Sequence, residues 1–493
     1  MLEREVKLEA PPAFRLETIA RLGGGYRVSK IATTAFDSRY FDTTDRRLAR
    51  AGCSLRYRTG DRWTLKLPDV SERGEFARAE HTVIAGPRTP PAALVDLATA
   101  YARTRRLRAV ATLRTERRTV TLASAGGAAL AEVADDRVSA QLSTGATMEF
   151  RELEVELAPH GSSSVLFDVV RRLQALGAGA QVFESKIHRV LGASGPLTPE
   201  LRSPHLSPHS SAADLLRAEL AVQTATLVAN DAGIRLGLGP EPLHLTRVAA
   251  RRIRSALRVF RPLLDRAWAN RLRADLEWLG NVLGAARDAD VLVQRLRARA
   301  ASLDGPFAAQ RARLIAALHE GSDAKYKSVR RVLKAPRYAR LLEKLVVAAA
   351  HPRLTRDGTV AAREVVPELI AKPWHDLKSA VKKTKRRPTD VQLHRLRIQV
   401  RRCRYVADAA AHVLGSDMTR FARRLARLQD ILGEQHDAAV AAAYVKRVAV
   451  RTRAMQVASA VLEAEGRVDE RRRAEWRKAW CKVKKSRPVL KTK

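Results

Sequence analysis

Charged side chains alternate with apolar ones in several short stretches of the first half of the chain. Glu3, Glu5 and Lys7 are two positions apart, and Glu154 and Glu156 repeat this spacing further along. Successive side chains of a β-strand point to opposite faces, so residues two apart lie about 6.6 Å from each other on one face. Two carboxylates and one ammonium group near the N-terminus are therefore expected to point together, as are the two later carboxylates.

Basic residues show the same alternation in other stretches. Arg56 and Arg58 share one parity, and so do Thr64 and Lys66. A solvated sheet face is one interpretation, because antiparallel sheets commonly expose one face to water. An ordinary wet face intersperses Lys with Glu, however, and here each sign clusters on its own strands. Carboxylates at this spacing can hold Mg²⁺ or Mn²⁺, and facing cations can hold phosphates, so the second interpretation is a layered site for metal and phosphate.

The elements that must position these residues change in the middle of the chain. Residues 1–192 consist mainly of alternating stretches, with helical periodicity only around Thr89–Arg108 and Ser163–Leu176, which predicts an antiparallel sheet with a few helices. Prolines and serines dominate 195–211 and predict a linker. From Ala212 onward the apolar spacing is helical, which predicts an all-helical second domain.

That second domain contains a repeated stripe of histidine and arginine. Its members follow the spacing i, i+3, i+7 and i+10, which places each stripe on one helix face. They are His244, Arg247, Arg251 and Arg254 in the first copy, and His394, Arg397, Arg401 and Arg404 in the second, 150 positions later. A lone basic stripe is usually a solvated face. Two matching stripes instead indicate a dense positive surface that like-charge repulsion disfavours unless it binds a polyanion.

A second pair of motifs supports the repeat. Leu-Gly-x-x-Arg-Asp ends at Asp288, and Leu-Gly-x-x-His-Asp ends at Asp437, at nearly the same offset. The second domain is therefore predicted to be two similar helical bundles related by a pseudo-twofold axis. We expect Asp288 and Asp437 to pair with arginines or cap helices.

The charge balance indicates where a polyanion would bind. The chain has 91 Lys and Arg against 52 Asp and Glu, a net charge of +39. Residues 1–200 carry 30 basic and 24 acidic side chains, and residues 201–493 carry 61 and 28. The polyanion partner is thus expected in the second half. No aromatic residue interleaves the stripes, so base stacking and specific nucleic-acid binding are not expected.

Composition excludes several other classes of protein. A hydrophobic share of 46% excludes wholesale disorder. The three cysteines are far apart and lack C-x-x-C spacing, which argues against a disulfide framework and a zinc site. No apolar run approaches the roughly 18 residues that cross a bilayer, so no membrane span is expected and the predicted location is the cytoplasm.

The first half resembles the CYTH, or triphosphate tunnel metalloenzyme, family over almost all of residues 1–192. The motifs that carry the resemblance are Glu3-x-Glu5-x-Lys7, Tyr40-Phe41-Asp42-Thr43-x-Asp45, Leu55-Arg56-Tyr57-Arg58 and Thr64-Leu65-Lys66. The resemblance implies an eight-stranded antiparallel tunnel that hydrolyses a triphosphate with Mg²⁺ or Mn²⁺. Inorganic triphosphate is the favoured substrate, because the recognisable ligands all suit phosphates.

The resemblance also implies roles for individual residues. Metal ligands or water-orienting carboxylates are expected at Glu3, Glu5, Glu154 and Glu156. Phosphate ligands are expected at Lys7, Arg56, Arg58, Lys66, Arg117 and Lys186, with Arg78 and Arg189 as further candidates, and the catalytic set is Glu3, Glu5, Lys7 and Lys66. Arg117 is preferred over its neighbours because Thr119 and Thr121 share its face. Asp42 is expected to be structural.

The second half resembles the CHAD domain, a conserved-histidine helical domain, over about Ala212–Val450. The resemblance is carried by the repeated His-x-x-Arg-x-x-x-Arg-Arg-x-Arg and Leu-Gly-x-x-Arg/His-Asp motifs. It implies inorganic polyphosphate binding in a basic groove by the two stripes, and recruitment to polyphosphate granules.

The resulting prediction is a multidomain α+β protein. Its parts are a tunnel domain at 1–194, a linker at 195–211, a helical domain at 212–450, and a basic helical tail at 451–493 that frays from Arg471. The predicted function is metal-dependent hydrolysis of a triphosphate, combined with polyphosphate binding. The alternative is a non-enzymatic polyphosphate-binding or granule-associated protein with a vestigial tunnel.

Overall fold

The computed structural model describes residues 5–60, 62–68, 78–193, 195–300 and 307–488. The chain forms two compact units, Met1–Glu200 and Leu201–Lys493. None of the helices in the described ranges combines the length and apolar character needed to cross a membrane.

Unit 1 contains an antiparallel sheet. Its strands are Glu5–Glu9 (β1), Arg27–Val28 (β2), Ala32–Asp42 (β3), Ser54–Arg58 (β4), Arg62–Pro68 (β5), Arg78–Ile84 (β6), Arg108–Ala123 (β7), Ala129–Leu142 (β8), Thr147–Leu157 (β9) and Gln181–Val182 (β10). The strand order is β10-β1-β9-β8-β7-β3-β4-β5-β6, with β2 paired to β7. The described sheet thus has ten strands rather than the expected eight. Two of them, β2 and β10, are two residues long, and a pair of residues is too short to produce a recognisable alternation.

Within the described residues of unit 1, four α-helices and a short 3-10 helix, Leu16–Arg21, accompany this sheet. The α-helices are Arg47–Arg50 (α1), Ala92–Ala102 (α2), Ser163–Ala175 (α3) and Lys186–Gly192 (α4). The two predicted helical stretches correspond to α2 and α3, which confirms that part of the prediction.

The two faces of the sheet differ in polarity, as the alternation predicts. Val6 and Leu8 are buried in a core with apolar residues of β7, β8 and β9. α3 covers this core with Leu166, Val169 and Leu173. Glu5 and Lys7 therefore lie on the opposite face, where the curved sheet encloses a cavity.

A buried carboxylate organises the turn before β4, as expected for Asp42. Its oxygens accept hydrogen bonds from the backbone N–H groups of Thr43, Leu48 and Ala49, at 2.6 to 2.9 Å. Asp42 thereby satisfies donors at the start of α1, in the way a capping residue does.

The described residues of unit 2 form helices, with isolated β-bridges at Ser211–Ala361 and Leu264–Leu354. Its helices are Ala212–Leu236 (α5), Glu241–Val259 (α6), Arg266–Ala300 (α7), Ala308–Lys334 (α8), Pro336–Ala350 (α9), Ala362–Lys383 (α10), Asp390–Leu414 (α11), Ser416–Val448 (α12) and Met455–Lys485 (α13). The repeated stripes lie on α6 and α11, and the second motif pair lies on α7 and α12. Equivalent helices of the two copies pack against each other: α5 on α10, α6 on α11, α7 on α12 and α8 on α13.

The expectation that the chain frays from Arg471 is wrong. α13 continues to Lys485 and packs along α12. Trp476 is completely buried, and Val461 and Val483 are buried with it. The segment is rich in charged residues, which makes its apolar stripe difficult to recognise in the sequence. In the structure this stripe is buried against the rest of unit 2.

The packing of α13 can be tested by truncating its largest buried side chain. We expect Trp476→Ala to lower the free energy of unfolding by about 3–5 kcal/mol, because it removes transfer energy and leaves a cavity. Lys478→Ala, at an exposed position of the same helix, should stay within about 0.5 kcal/mol of wild type. Urea unfolding of the full chain measures both. Equal, small effects would mean that α13 is not packed.

Candidate active site and anion-binding cavity

Strand register places the predicted carboxylates of unit 1 side by side. Glu5 of β1 lies opposite Glu156 of β9, and Glu156 lies opposite Glu132 of β8. In the next row Lys7 lies opposite Glu154. Directly opposed side chains have Cβ atoms about 5 Å apart on the same face. The acidic wall of the cavity is therefore built by pairing of β1, β9 and β8.

Glu154 is the most heavily contacted carboxylate of this wall. The Lys186 ammonium lies 2.7 Å from it, Lys7 lies 3.5 Å away, and Arg117 donates a hydrogen bond to it. Burial raises the pKa of Glu154, but these three cations outweigh burial and hold it well below its ordinary value. Glu154 is therefore ionised throughout the neutral pH range.

Lys186 reaches the wall from the first turn of α4. The Ser185 hydroxyl accepts a hydrogen bond from the His188 backbone N–H and caps this helix. A cation at a helix N-terminus is opposed by the helix dipole. Three carboxylates compensate here, since the Lys186 ammonium also lies 2.8 Å from both Asp136 and Glu152.

The opposite wall is basic. Arg56 and Arg58 of β4 lie across from β5, which carries Lys66. The Arg58 guanidinium stacks 4.1 Å from the centre of the Phe36 ring. Burial, followed by the charges of Arg56 and Arg117, lowers the pKa of Arg58 to about 10. The cations of this wall are thus close enough to repel one another, and an anion between them would relieve that repulsion.

Most of the residues predicted for the tunnel line one cavity of about 120 Å³. They are Glu5, Lys7, Arg56, Arg58, Lys66, Arg117, Glu154, Glu156 and Lys186. Arg189 is not among the described lining residues, and its guanidinium stacks on Phe150 at 4.6 Å. Arg78 begins β6 and only its backbone is described, and Glu3 lies outside the described residues.

The cavity also has lining residues that the sequence did not single out. Thr115 could have been found, because it has the same parity as Arg117 on β7. Ser185 caps α4 and Ile187 lies in its first turn, and no alternation pattern connects that helix to the strands. Their position follows only from the way α4 packs across one end of the sheet, with Ile187, Val190 and Leu191 in an apolar cluster.

Within the described ranges, no three Asp, Glu, His or Cys side chains already converge as a metal cage. The donor set nevertheless suits a hard cation. Glu5, Glu156 and Glu132 form a row of carboxylates across three adjacent strands. Carboxylate oxygens are the ligands that Mg²⁺ and Mn²⁺ prefer. The residues present therefore fit such an ion.

Unit 2 contains a larger cavity, of about 630 Å³. Six of the eight predicted stripe residues line it: His244, Arg247, Arg251, His394, Arg397 and Arg401. Arg254 lines a neighbouring cavity of about 280 Å³, which also shares Arg251 and Arg401. Arg404 lies on neither described lining, and its guanidinium is 3.3 Å from Asp408, one turn further along α11.

Further basic residues of this larger cavity come from the helices that carry the second motif pair. Arg287 and Arg295 of α7 and His436 of α12 line it together with the stripes. Arg287 and His436 occupy the same position in the two copies of the Leu-Gly motif, so the repeat itself could have identified them. Asp288 pairs with Arg247 at 3.1 Å, as expected.

Arg251 and Arg401 are equivalent positions of the two repeats and contribute to both cavities. The Arg251 Nε donates a hydrogen bond of 2.7 Å to the Tyr405 hydroxyl. Burial and the nearby Arg251 lower the pKa of Arg401 to about 10. The two stripes thus converge, as the repeat predicts, and concentrate positive charge in a partly buried space.

Unit 1 is therefore a curved antiparallel sheet around a cavity with acidic and basic walls, and unit 2 is a helical repeat domain with a basic cavity. Residues 1–189 match the CYTH domain model, and residues 218–446 match the CHAD domain model. The chain belongs to the family of proteins that combine these two domains.

The chain is also similar to known proteins. Two uncharacterised proteins, from two strains of Mycobacterium tuberculosis, are each 30% identical over 456 residues, which is 86% of this chain and 84% of each relative. The crystal structure of the CHAD domain from the plant Ricinus communis is 26% identical, with a TM-score of 0.45, and the match covers 58% of this chain and 95% of that one. CYTH domains are metal-dependent, usually with Mg²⁺ or Mn²⁺, and generally bind triphosphate substrates, so the match supports a triphosphate-related function.

The electrostatics of the larger cavity can be tested by titration. Burial, then Arg397 and His394, lower the pKa of His436 to about 4. In the unfolded state, a histidine has a pKa near 6.5. As the pH drops below about 6.5, the unfolded state therefore binds a proton that folded His436 does not yet bind. The free energy of unfolding falls until the pH reaches about 4. We expect NMR titration to place His436 near pH 4, and Arg397→Ala to raise its pKa. A wild-type midpoint near 6.5 would contradict this environment.

Proposed function

We propose that unit 1 hydrolyses inorganic triphosphate with a divalent metal ion. The observation that carries the proposal is one small cavity with carboxylates on β1 and β9 and cations on β4 and β5. A metal with bound phosphates needs this separation of charge, because the ion binds carboxylates on one side while phosphate oxygens meet cations on the other.

In this proposal, Glu5, Glu154 and Glu156 hold the metal, with Glu3 as a further ligand. When bound, the ion supplies charge neutralisation and polarises phosphoryl oxygens. Arg56, Arg58 and Lys66 bind the phosphates and stabilise the charge that develops in the transition state. Lys7, between Glu5 and Glu154, orients the two carboxylates and neutralises part of their charge.

Arg117 and Lys186 are strongly paired with carboxylates. Arg117 donates to Asp136 at 2.7 Å, and Lys186 contacts three carboxylates. We propose that both side chains hold the acidic wall in place, that Arg117 directs its remaining Nη1 group to phosphate, and that Lys186 contributes its positive charge. Arg78 and Arg189 stay candidates for phosphate binding on the strength of the family resemblance.

Inorganic triphosphate suits the cavity better than a nucleotide does. Its lining is almost wholly charged or hydroxylated, and apolar side chains are contributed by Phe36, Leu113 and Ile187. The Arg58 guanidinium lies over the Phe36 ring, so a base could not stack on that face of the ring. Phosphate release from inorganic triphosphate, thiamine triphosphate and ATP, each with Mg²⁺ or Mn²⁺, tests this choice.

Charge removal from the acidic wall tests the site. We expect Glu5→Gln and Glu156→Gln each to lower kcat at least a hundredfold with the fold intact, because an amide keeps the shape but is a poor ligand for a hard cation. Glu149→Gln, at an exposed position of β9 outside the cavity lining, is the matched control and should retain wild-type rates. Metal-dependent wild-type turnover in both cavity variants would exclude this wall as the catalytic site.

We further propose that unit 2 binds inorganic polyphosphate in the cavity of the two stripes. The support is the convergence of arginines from three helices, α6, α7 and α11, on one space, with Arg401 close to Arg251. Guanidinium groups bind phosphate oxygens through paired hydrogen bonds. The same proposal includes recruitment of the protein to polyphosphate granules. It also assigns triphosphate hydrolysis to a domain at 1–194 and polyphosphate binding to a separable domain at 212–450.

Charge reversal within the cavity tests this second function. Arg251→Glu with Arg401→Glu should weaken polyphosphate binding at least a hundredfold and leave triphosphate hydrolysis unchanged. The matched control is Arg395→Glu with Arg424→Glu, at exposed positions of α11 and α12 outside the described lining, which changes the net charge equally. Binding isotherms at several salt concentrations measure both, because phosphate contacts make affinity salt-dependent. Equal losses in the two double variants would indicate attraction by net charge alone.

A further inference from the structure

Helix α13 runs beside the basic cavity of unit 2, although it lies beyond residues 218–446 of the CHAD match. It packs on α12 and also contacts α7, and both of these helices line the cavity. Its charged residues are therefore close enough to influence the side chains that face a bound anion.

One of these residues is a fully buried carboxylate. Glu465 is 1% exposed, and its oxygens accept hydrogen bonds from the Nε atoms of Arg295 at 2.8 Å and Arg299 at 3.1 Å. Arg295 lines the cavity. A carboxylate without water is stable only when cations or donors surround it, so Glu465 and the two guanidinium groups restrict each other's position.

The same face of α13 contacts two neighbouring residues of α12. Asp469 and Arg472 follow Glu465 at i+4 and i+7. The Asp469 carboxylate accepts a hydrogen bond of 2.8 Å from Gln435, and Arg472 donates one of 2.7 Å to Glu434. Glu434 lines the cavity, where its negative charge would repel phosphate.

We infer that α13 sets the anion affinity of this cavity, with Glu465 positioning Arg295 and Arg472 neutralising Glu434. The inference rests on the proposed polyphosphate binding of unit 2. Its two contacts act in the same direction, because one directs a cation and the other offsets a repulsive carboxylate. The Glu465 contact has no counterpart in the other repeat, where Tyr444 occupies the position equivalent to Arg295.

The first test compares two buried carboxylates of unit 2 in the full chain. Glu465→Gln should weaken polyphosphate binding about tenfold and reduce its salt slope by about one, as expected when one phosphate contact is lost. The control is Asp231→Asn. Asp231 is fully buried and pairs with Arg235 at 2.6 Å, away from the cavity lining. Both variants should lower Tm, but only Glu465→Gln should change binding.

Double variants separate positioning from general damage. In an Arg295→Ala background, Glu465→Gln should have little further effect on polyphosphate affinity, because its target is gone. If Glu465→Gln fails to fold, Glu465→Asp keeps the charge and retracts it by one methylene, and should weaken binding several-fold. Additive losses, or wild-type affinity in both Glu465 variants, would overturn the role of Glu465.

The Arg472 contact is tested by rescue. Arg472→Gln should weaken polyphosphate binding several-fold by leaving the Glu434 carboxylate without this partner, and adding Glu434→Gln should restore it. A loss that persists in the double variant would mean that Arg472 acts only through stability.

A ligand-free measurement distinguishes failure of the inference from failure of the proposed function. Reaction of Arg295 with phenylglyoxal, followed by peptide mass spectrometry, should be several-fold faster in Glu465→Gln than in wild type or Asp231→Asn. Unchanged reactivity would overturn the inference whether or not polyphosphate binds. Faster reaction in a chain whose wild type binds no polyphosphate would instead refute the proposed function and retain the positioning of Arg295.

Discussion

Both cavities depend on ion pairs in which one carboxylate lies between closely spaced cations. In unit 1, Lys7, Lys186 and Arg117 all contact Glu154. Without this carboxylate, three cations so close together would repel one another. In unit 2, Glu465 likewise contacts two arginines of α7. Because unpaired buried charges are costly, each carboxylate fixes the position of the cations around it.

Other cations in the two cavities are not neutralised by these carboxylates. Arg56 and Arg58 have Nε atoms that are buried without a hydrogen-bond partner among the described residues. Arg251 and Arg401 approach each other from equivalent positions in the two repeats, and both line each of the two basic cavities. Concentrated positive charge of this kind is stabilised by a bound polyanion. The two units thus use one physical principle at different scales, with a small cavity in the sheet and a larger one among helices.

The two sites differ in what surrounds the cations. Unit 1 opposes its basic wall with a row of carboxylates, a combination that suits a metal ion bound to phosphates. In unit 2 arginines predominate in the cavity lining, and two of the lining carboxylates are paired, Asp288 with Arg247 and Glu434 with Arg472. This difference is the basis for proposing hydrolysis in unit 1 and binding without hydrolysis in unit 2.

The sequence by itself determined which residues share a face. Alternation placed Glu5 and Lys7 opposite Val6 and Leu8, and the 150-residue repeat predicted that Arg251 and Arg401 belong to one basic surface. These predictions succeed because side-chain direction within a strand or helix depends on local geometry alone. The strand count failed where strands have only two residues, and the fraying of α13 failed because its charge obscured its buried stripe.

Only the tertiary structure decided which elements meet. Lys186 reaches Glu154 because α4 packs across one end of the sheet, and Arg295 is held by Glu465 because α13 returns to α7 after 170 residues. Arg254 and Arg404 have the same stripe spacing as their neighbours. Arg254 nevertheless lines a second cavity, and Arg404 pairs with Asp408. Periodicity specifies a direction around one helix, whereas the partner met in that direction depends on the packing of the whole unit.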